Sequence, residues 1–316
     1  ASGGMIGHGM FSGNGVQIGQ INREIDLALQ ARWRASLSRE HSLGVDQQFL
    51  VALETLQNEL GESDLSSALD EFFGAFSTLA NDPMDASYAA LALQQGEVLA
   101  SRLQEMAEEY EGLSQQVSEG VGATVAACNE LLDAIAILNG QIGEVEGNGH
   151  EASELRDQRD LLVDQLSMYI DVDVIEQPGG MVDLHVGSTP ILMGSQSMGI
   201  AVHEQQNDGV AQLTLRTSAN GSMLQIEGGS LHGLLRQHAD TIQPALETLH
   251  QLAGALIHHV NRAHSQGQGT QGWSSLTGTV SIGDSSAMLN DTAAAAIAPI
   301  ANGSFTIHLR DAESGD

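Results

Sequence analysis

The sequence predicts an α+β fold, built on a long antiparallel helical rod of the coiled-coil type. Three observations predict it: apolar residues recur every three or four positions over residues 16–170, the apolar period changes to two at residues 171–228, and the helical period returns at residues 229–268. We therefore expect a Gly-rich loop at 1–15, a helical rod at 16–170, an antiparallel β excursion at 171–228, a return helix of the rod at 229–268, and the start of a truncated outer β domain at 269–316.

The charge of the chain excludes several classes of partner. Its 41 acidic and 11 basic residues give a net charge of -30, which argues against nucleic acid and anionic membranes because phosphate binding needs clustered cations. No run of apolar residues reaches the length of about 18 that a membrane-crossing helix needs. The single cysteine, Cys128, excludes an intramolecular disulfide framework and a CxxC motif. We expect no cofactor, no nucleic acid and no membrane.

The charge is unevenly distributed along the chain. Residues 40–154 contain 22 acidic residues and one basic residue, Arg102, whereas the preceding segment carries Arg23, Arg32, Arg34 and Arg39. A long acidic stretch of this kind is typical of a solvated helical face. Because all the basic residues are arginine, adaptation to saline or alkaline surroundings is a second interpretation.

Helix boundaries can be read from capping residues. A helical pattern runs from Val16 to about residue 60, with Gly44 as a potential break, and Ser63 or Asp64 can cap a second helix. Asp82 then fits the N-cap of a third helix, because Pro83 would occupy the first helical position, where its missing N–H costs nothing.

The third helix carries the most informative pattern. Its apolar residues form a heptad seam, in which the step of four from Val117 to Val121 is a stutter that locally unwinds a left-handed supercoil. A helix over residues 83–142 would be about 90 Å long. The seam comprises Leu99, Leu103, Met106, Tyr110, Leu113 and Val117, followed by Thr124, Cys128, Leu131, Ile135, Leu138 and Ile142.

Residues 147–149 should turn the chain into a shorter helix at about 151–169 that runs back along the rod. Arg159 lies on the apolar side of this helix. One interpretation is that its guanidinium reaches the solvent along the helix edge. The alternative is an inter-helix ion pair with a carboxylate of the long helix, which would fix register more than stability.

The β excursion and the return helix follow. Alternating apolar residues and Gly-containing turns predict an antiparallel meander. In the return helix, Leu235, Ile242, Leu249 and Leu256 recur at intervals of seven, and Pro244 should kink or restart the helix.

The residues that could carry chemistry form weak patterns. His250, His258, His259 and His264 have gaps of 8, 1 and 5, whereas two ligands on one helix need gaps of three or four. Asp157, Asp160 and Asp164 share a helix face, yet Arg156 can pair with Asp160 in an ordinary surface arrangement. Cys128 lies in the seam and is expected to be a buried apolar residue. We predict no catalytic, metal or cofactor site.

Several segments in combination resemble the bacterial flagellar hook-associated protein 1 family, the hook–filament junction proteins. The residues that carry the resemblance are 66–73 (SSALDEFF), 79–83 (LANDP), 89–102 (AALALQQGEVLASR), 155–167 (LRDQRDLLVDQLS), 172–187, 229–267 and 303–310 (GSFTIHLR).

The resemblance implies a structural subunit and no enzyme. Such a subunit would be exported through the flagellar type III system without a cleaved signal peptide and would be extracellular. It would associate with itself, with hook protein and with a neighbouring hook-associated protein. The resemblance also implies that the chain is an internal piece without the terminal helices, so we expect it to be monomeric alone. Another flagellar axial protein (flagellin or hook-associated protein 3), a phage tail fibre and a cell-surface enzyme are the alternatives.

Overall fold

The computed structural model describes residues 26–57, 64–207 and 210–266. Within them the chain is mostly helical with small antiparallel sheets, so the predicted α+β fold is confirmed. The predicted loop at 1–15, residues 16–25 of the rod and the predicted outer β domain at 269–316 lie outside the described residues, and the domain boundaries stay a prediction. Contacts divide the chain into two units, residues 1–249 and 250–316.

Four helices precede the sheets. They are α1 (Leu27–Gln57), α2 (Leu65–Asn81), α3 (Ala86–Gly147) and α4 (Ser153–Tyr169). Gly44 does not break α1, and Asp64 caps α2 by accepting a hydrogen bond from the backbone N–H of Ser67. The predicted start of α3 was three residues early: Asp85 is its N-cap, and its carboxylate accepts a hydrogen bond from the backbone N–H of Ser87.

The β excursion forms two antiparallel sheets. The first has the order β1 (Asp173–Glu176), β2 (Val182–Val186), β3 (Thr189–Met193), β4 (Gln196–Ser197). The second has the order β5 (Ile200–Asn207), β6 (Val210–Thr217), β7 (Met223–Leu224). Each strand pairs with the next one along the chain within its sheet, which is the predicted meander.

The return helix consists of α5 (Gly229–Arg236), a π-helical segment (Gln237–Ile242) and α6 (Gln243–Gln266). The π segment ends where the N–H of Gln243 donates to the carbonyl of His238, five residues back. The next residue, Pro244, has no N–H to donate and cannot continue a regular turn. The predicted interruption therefore takes the form of a π segment immediately before the proline.

Several of the helices and strands pack against α3 and α4. α2 and α4 both pack against α3, α1 packs against α4 and α5, and β4 and β5 lie against α3. Gly229 begins α5 with φ +81°, and a Cβ there would collide with the backbone of Tyr169. Glycine is thus required where α5 crosses the end of α4.

One 18-residue stretch of α3 is apolar enough on average to cross a membrane by length and composition alone, although it is not an unbroken apolar run. The core helix of a soluble protein passes the same test. α3 has buried residues along its whole length, from Ala92 to Ile142, against the elements that surround it.

Candidate functional site

The functional feature of a rod is its packing core, and the structure locates each predicted seam residue of α3. The buried ones are Leu99, Leu103, Met106, Tyr110, Val117, Cys128, Ile135 and Ile142. Leu113, Thr124, Leu131 and Leu138 are only half-buried. The observed core therefore follows the predicted seam in part.

Beyond Val121 every second seam position differs by one residue from the predicted one, whereas Cys128, Ile135 and Ile142 are buried as predicted. Val125, Leu132 and Asn139 are buried where Thr124, Leu131 and Leu138 were expected. The cause is a second step of four, from Val121 to Val125, after the step of four from Val117 to Val121. The steps after Val121 are four then three, in place of three then four, so the order of the steps changes while the period of seven is kept.

The return helix shows a similar effect. Ile242 and Leu249 are buried, whereas Leu235 and Leu256 are half-buried. In α5 the buried side chain is Leu231, and Gly233 lies so close to α1 that a Cβ there would be 2.9 Å from the carbonyl oxygen of Ser42. Leu235 and Ile242 do not share one face because the π segment that ends at Ile242 adds a residue to a turn.

Arg159 is 1% exposed, so it does not reach the solvent. Its Nη1 atom donates to the Oδ1 atom of Asn139 at 3.3 Å and to the carbonyl of Gly180 at 2.7 Å. Its Nη2 atom lies 3.6 Å from the carboxylate of Asp160 in the same helix. The guanidinium therefore contacts the long helix α3 through the amide of Asn139. The carboxylate beside it, that of Asp160, belongs to α4 itself.

A second buried arginine joins α1 to α4. The Nε atom of Arg34 donates to Asp164 at 2.6 Å, and its Nη2 atom lies 3.8 Å from Asp160. Gln30 donates to the other oxygen of Asp160 at 3.1 Å. Two carboxylates of the acidic face of α4 are thereby engaged in fixing α1 on α4.

The ion pair between α3 and α4 is made by Arg156. Its Nε and Nη2 atoms donate to the two carboxylate oxygens of Glu146 at 2.6 and 2.7 Å. The hydrogen bond from Arg156 holds the pKa of the Glu146 carboxyl below its ordinary value. Arg156 was expected to pair with Asp160, and the structure places it instead on the long helix. Gly180, with φ +78°, adjoins the pair so closely that a Cβ would collide with it.

Two asparagines that sequence reasoning missed attach the sheets to α3. Asn139 donates to the carbonyls of Val182 at 2.7 Å and Gly194 at 2.8 Å. Asn129 accepts from the N–H of Ile200 at 2.7 Å and donates to its carbonyl at 2.9 Å. The available signal was two asparagines ten residues apart within an apolar helix.

The residues with potential chemistry are either buried in the packing core or exposed on helix surfaces. Cys128 is fully buried, and burial raises the pKa of its thiol to about 12. Among the described residues, no three His, Cys, Asp or Glu side chains come together in a way that could hold a metal ion. His250, His258, His259 and His264 are exposed on α6, as is Asp157 on α4.

A cleft of about 290 Å³ lies between α1, α4 and β1. Its lining includes Asp160, which Arg34 and Gln30 contact, and Asp171. The carboxylate of Asp171 accepts hydrogen bonds from the N–H groups of Glu227 at 3.0 Å and Gly228 at 3.2 Å. Burial raises the pKa of Asp171 despite these bonds. Asp160 and Asp171 thus hold neighbouring elements together.

Comparison with known proteins identifies the family. Residues 50–278 match the family described as the flagellar hook-associated protein FlgK helical domain. The chain belongs to the flagellar hook-associated protein 1 family. The family resemblance seen in the sequence is therefore confirmed.

Similar proteins include flagellar hook-associated protein 1 of Salmonella typhimurium, 27% identical over 84% of this chain and 50% of that protein. The protein of the same name from Bacillus subtilis is 29% identical over 53% of this chain and 33% of that protein. The structure of the flagellar hook junction protein FlgK from Burkholderia pseudomallei superposes with a TM-score of 0.61 and 26% identity, over 72% of this chain and 41% of that one. The chain spans about half the length of the Salmonella relative.

Proposed function

We propose that this chain is the helical part of a structural subunit that forms the junction between the hook and the filament of a bacterial flagellum. The observation that carries the proposal is α3, an unbroken helix of 62 residues with buried positions along its length. At 1.5 Å per residue, this helix is about 93 Å long. Membership of the flagellar hook-associated protein 1 family supports a role for this rod in a flagellum.

The contacts of the polar residues favour a structural role over an enzyme. Asp160 and Asp164 contact Arg34, and Glu146 contacts Arg156. A general acid or base must be able to approach a substrate, whereas these carboxylates join helix to helix. The seam cysteine has a raised thiol pKa, opposite to the change that activates a nucleophile.

The proposed partners are those of an axial protein: further copies of the subunit, hook protein and a neighbouring hook-associated protein. The proposed location is extracellular, reached through the flagellar type III system without a cleaved signal peptide. Alone at micromolar concentration the chain should be monomeric, because copies with a net charge of -30 repel one another.

Deletion of the gene in the organism that produces this protein tests the proposal. We expect cells with hooks but without attached filaments, because filament subunits would lack the surface on which they polymerise. Electron microscopy of the cells and an assay of filament protein in the medium measure this. Cells that keep full-length filaments would contradict the proposal, and restoration by the intact gene is the control.

A further inference from the structure

The π segment Gln237–Ile242 contains a buried histidine. His238 is 2% exposed, and its imidazole Nε2 atom lies 3.3 Å from the side-chain Nε2 atom of Gln243, the first residue of α6. An amide nitrogen can only donate a hydrogen bond, so the imidazole Nε2 atom is the acceptor in this contact. The contact therefore requires that the Nε2 atom of His238 carry no proton.

The same amide of Gln243 also reaches the long helix. Its nitrogen donates to the Oγ atom of Ser114 on α3 at 3.2 Å. The backbone N–H of Gln243 donates to the carbonyl of His238 and closes the last turn of the π segment. Gln243 thus connects α3, the buried histidine and the first turn of α6. We call Ser114, His238 and Gln243 the π joint.

The backbone supports the π joint weakly on its α6 side. Pro244 has no N–H, so it cannot donate to the carbonyl of Asp240 as a residue of a regular helix would. Short π-helical segments within α-helices are rare and occur frequently at functional sites. The side-chain contacts of Gln243 therefore matter more to the start of α6 than equivalent contacts within an uninterrupted helix.

The ionisable groups of the helices on either side of the π segment are engaged in other contacts. Arg236, at the end of α5, forms an ion pair with Asp46 of α1. His232 of α5 is half-buried, and its Nδ1 atom lies 3.2 Å from the Oγ atom of Ser42 of α1. These contacts hold α5 on α1 and leave the ring of His238 to the π joint.

The other charged side chains near the π segment face the solvent or the far side of their strand. Glu111 and Glu119 of α3, Asp240 of the segment and Glu247 of α6 are exposed. Arg216 of β6 stands between two buried residues of that strand, so alternation places it on the opposite face.

Burial lowers the pKa of His238 from its ordinary value of 6.5, and the charge of Glu204 on β5 opposes this effect. Opening of the π joint would expose the ring to water and restore the ordinary pKa. The open form would then bind a proton more readily than the closed form. The closed joint is therefore fully stable above about pH 6.5 and loses stability as pH falls from that value towards the lower folded one.

We propose that the π joint is an acid-sensitive latch, in which protonation of His238 breaks its contact with Gln243 and releases the start of α6 from α3. The proton binds to the imidazole Nε2 atom, which then becomes a donor facing the amide nitrogen, itself a donor. The latch is closed in neutral surroundings and opens in mild acid. An extracellular subunit meets the pH of the medium directly, and this setting rests on the proposed function.

Hydrogen exchange of the purified 316-residue chain at pH 7.5 and pH 5.5 provides the test. Protection factors, which correct for the effect of pH on the intrinsic exchange rate, should fall several-fold over residues 237–249 at the lower pH. One pH unit below 6.5 sets a limit of about tenfold on this fall. An equal fall over α4 would indicate general loosening and would overturn the latch.

Unchanged protection over residues 237–249 would also overturn the latch. It would indicate that the amide of Gln243 rotates by 180° in acid, so that its oxygen accepts from the protonated ring and from the hydroxyl of Ser114. The joint would then stay closed at both pH values.

A matched pair of variants assigns the effect to one histidine. His238→Gln keeps a polar side chain at the joint and cannot titrate, so its protection factors should be the same at both pH values. His250→Gln makes the same change at an exposed position of α6 and should behave as the native chain. Loss of the pH effect in both variants, or in neither, would contradict the role of His238.

Nuclear magnetic resonance of the native chain gives a test that does not depend on how well His238→Gln folds. The ring signal of His238 should titrate below pH 6.5, over the same range in which protection of residues 237–249 falls. Titration at or above 6.5 would overturn the latch. These measurements use the purified chain, so their outcome is independent of whether the protein forms the hook–filament junction.

Discussion

Asn139 and Arg159 meet in the interior of the molecule, where the guanidinium Nη1 atom donates to the amide Oδ1 atom at 3.3 Å. The same amide donates to the carbonyls of Val182 and Gly194, at the open end of the β2–β3 hairpin. Arg159 in turn donates to the carbonyl of Gly180 before β2. One buried pair of side chains thereby joins the long helix, the helix that runs back along it, and the first sheet.

Replacement of Asn139 by Ala should lower the free energy of unfolding by about 2–5 kcal/mol, because two buried carbonyls and a buried guanidinium lose a partner. Denaturant titration measures the change. Asn81→Ala is the control: Asn81 is exposed at the end of α2, and its loss should cost no more than about 0.5 kcal/mol. A cost below about 1 kcal/mol for Asn139→Ala would contradict the joining role.

The shifted seam gives a matched pair of substitutions on α3. Leu132 is fully buried and its neighbour Leu131 is half-buried. Leu132→Ala should therefore cost about 2–5 kcal/mol of unfolding free energy, and Leu131→Ala clearly less. The same titration measures both variants. A larger loss for Leu131→Ala would favour the heptad register that the sequence predicts over the one observed.

The sequence predicts most of this fold because its elements are bounded by local signals. Asp64 caps α2, glycines mark the turns, and alternating residues mark the strands, all of which depend on near neighbours in the chain. The buried positions of α3 that alternate with Cys128, Ile135 and Ile142 are not predictable in this way. The buried face of α3 includes the polar residue Asn139. The amide of Asn139 gains its backbone hydrogen-bond partners only when the hairpin of β2 and β3 packs against α3.

The contacts of Arg159 cannot be predicted from the sequence for the same reason. Its amide partner, Asn139, is 20 residues away, and its carbonyl partner, Gly180, is 21 residues away. The β excursion has to fold before the contact with Gly180 exists. A charged residue on an apolar stripe therefore indicates a buried polar contact, but it does not indicate which residue is the partner.

The ion pair of Arg156 with Glu146 should make stability depend on pH in the acidic range. The pKa of Glu146 is lowered in the folded state from its ordinary value of 4.5. Its contribution is therefore present above that value and is lost as pH falls through the lower folded value. Glu146→Gln should be less stable than the native chain at neutral pH, and the difference should vanish in strong acid. Urea titrations across this range test it, and a difference independent of pH would contradict the assignment.

Salt should stabilise the rod, because 22 acidic residues and one basic residue between positions 40 and 154 leave a repulsive surface. Ions screen such charges over about 10 Å at 0.1 M. Melting temperature should rise from low to moderate NaCl. Replacing Glu108, Glu109 and Glu111 by Gln should raise the melting temperature at low salt and reduce the effect of salt. A flat salt dependence of the native chain would mean that the acidic charges are already compensated.

Immunogold electron microscopy tests the central claim most directly. Antibodies raised against the chain would be applied to flagella isolated from cells that produce the protein. We expect gold particles in one narrow zone at the boundary between hook and filament, because the subunit is proposed to form the junction there. Labelling along the whole filament, as a flagellin would give, or flagella without any label, would contradict the claim.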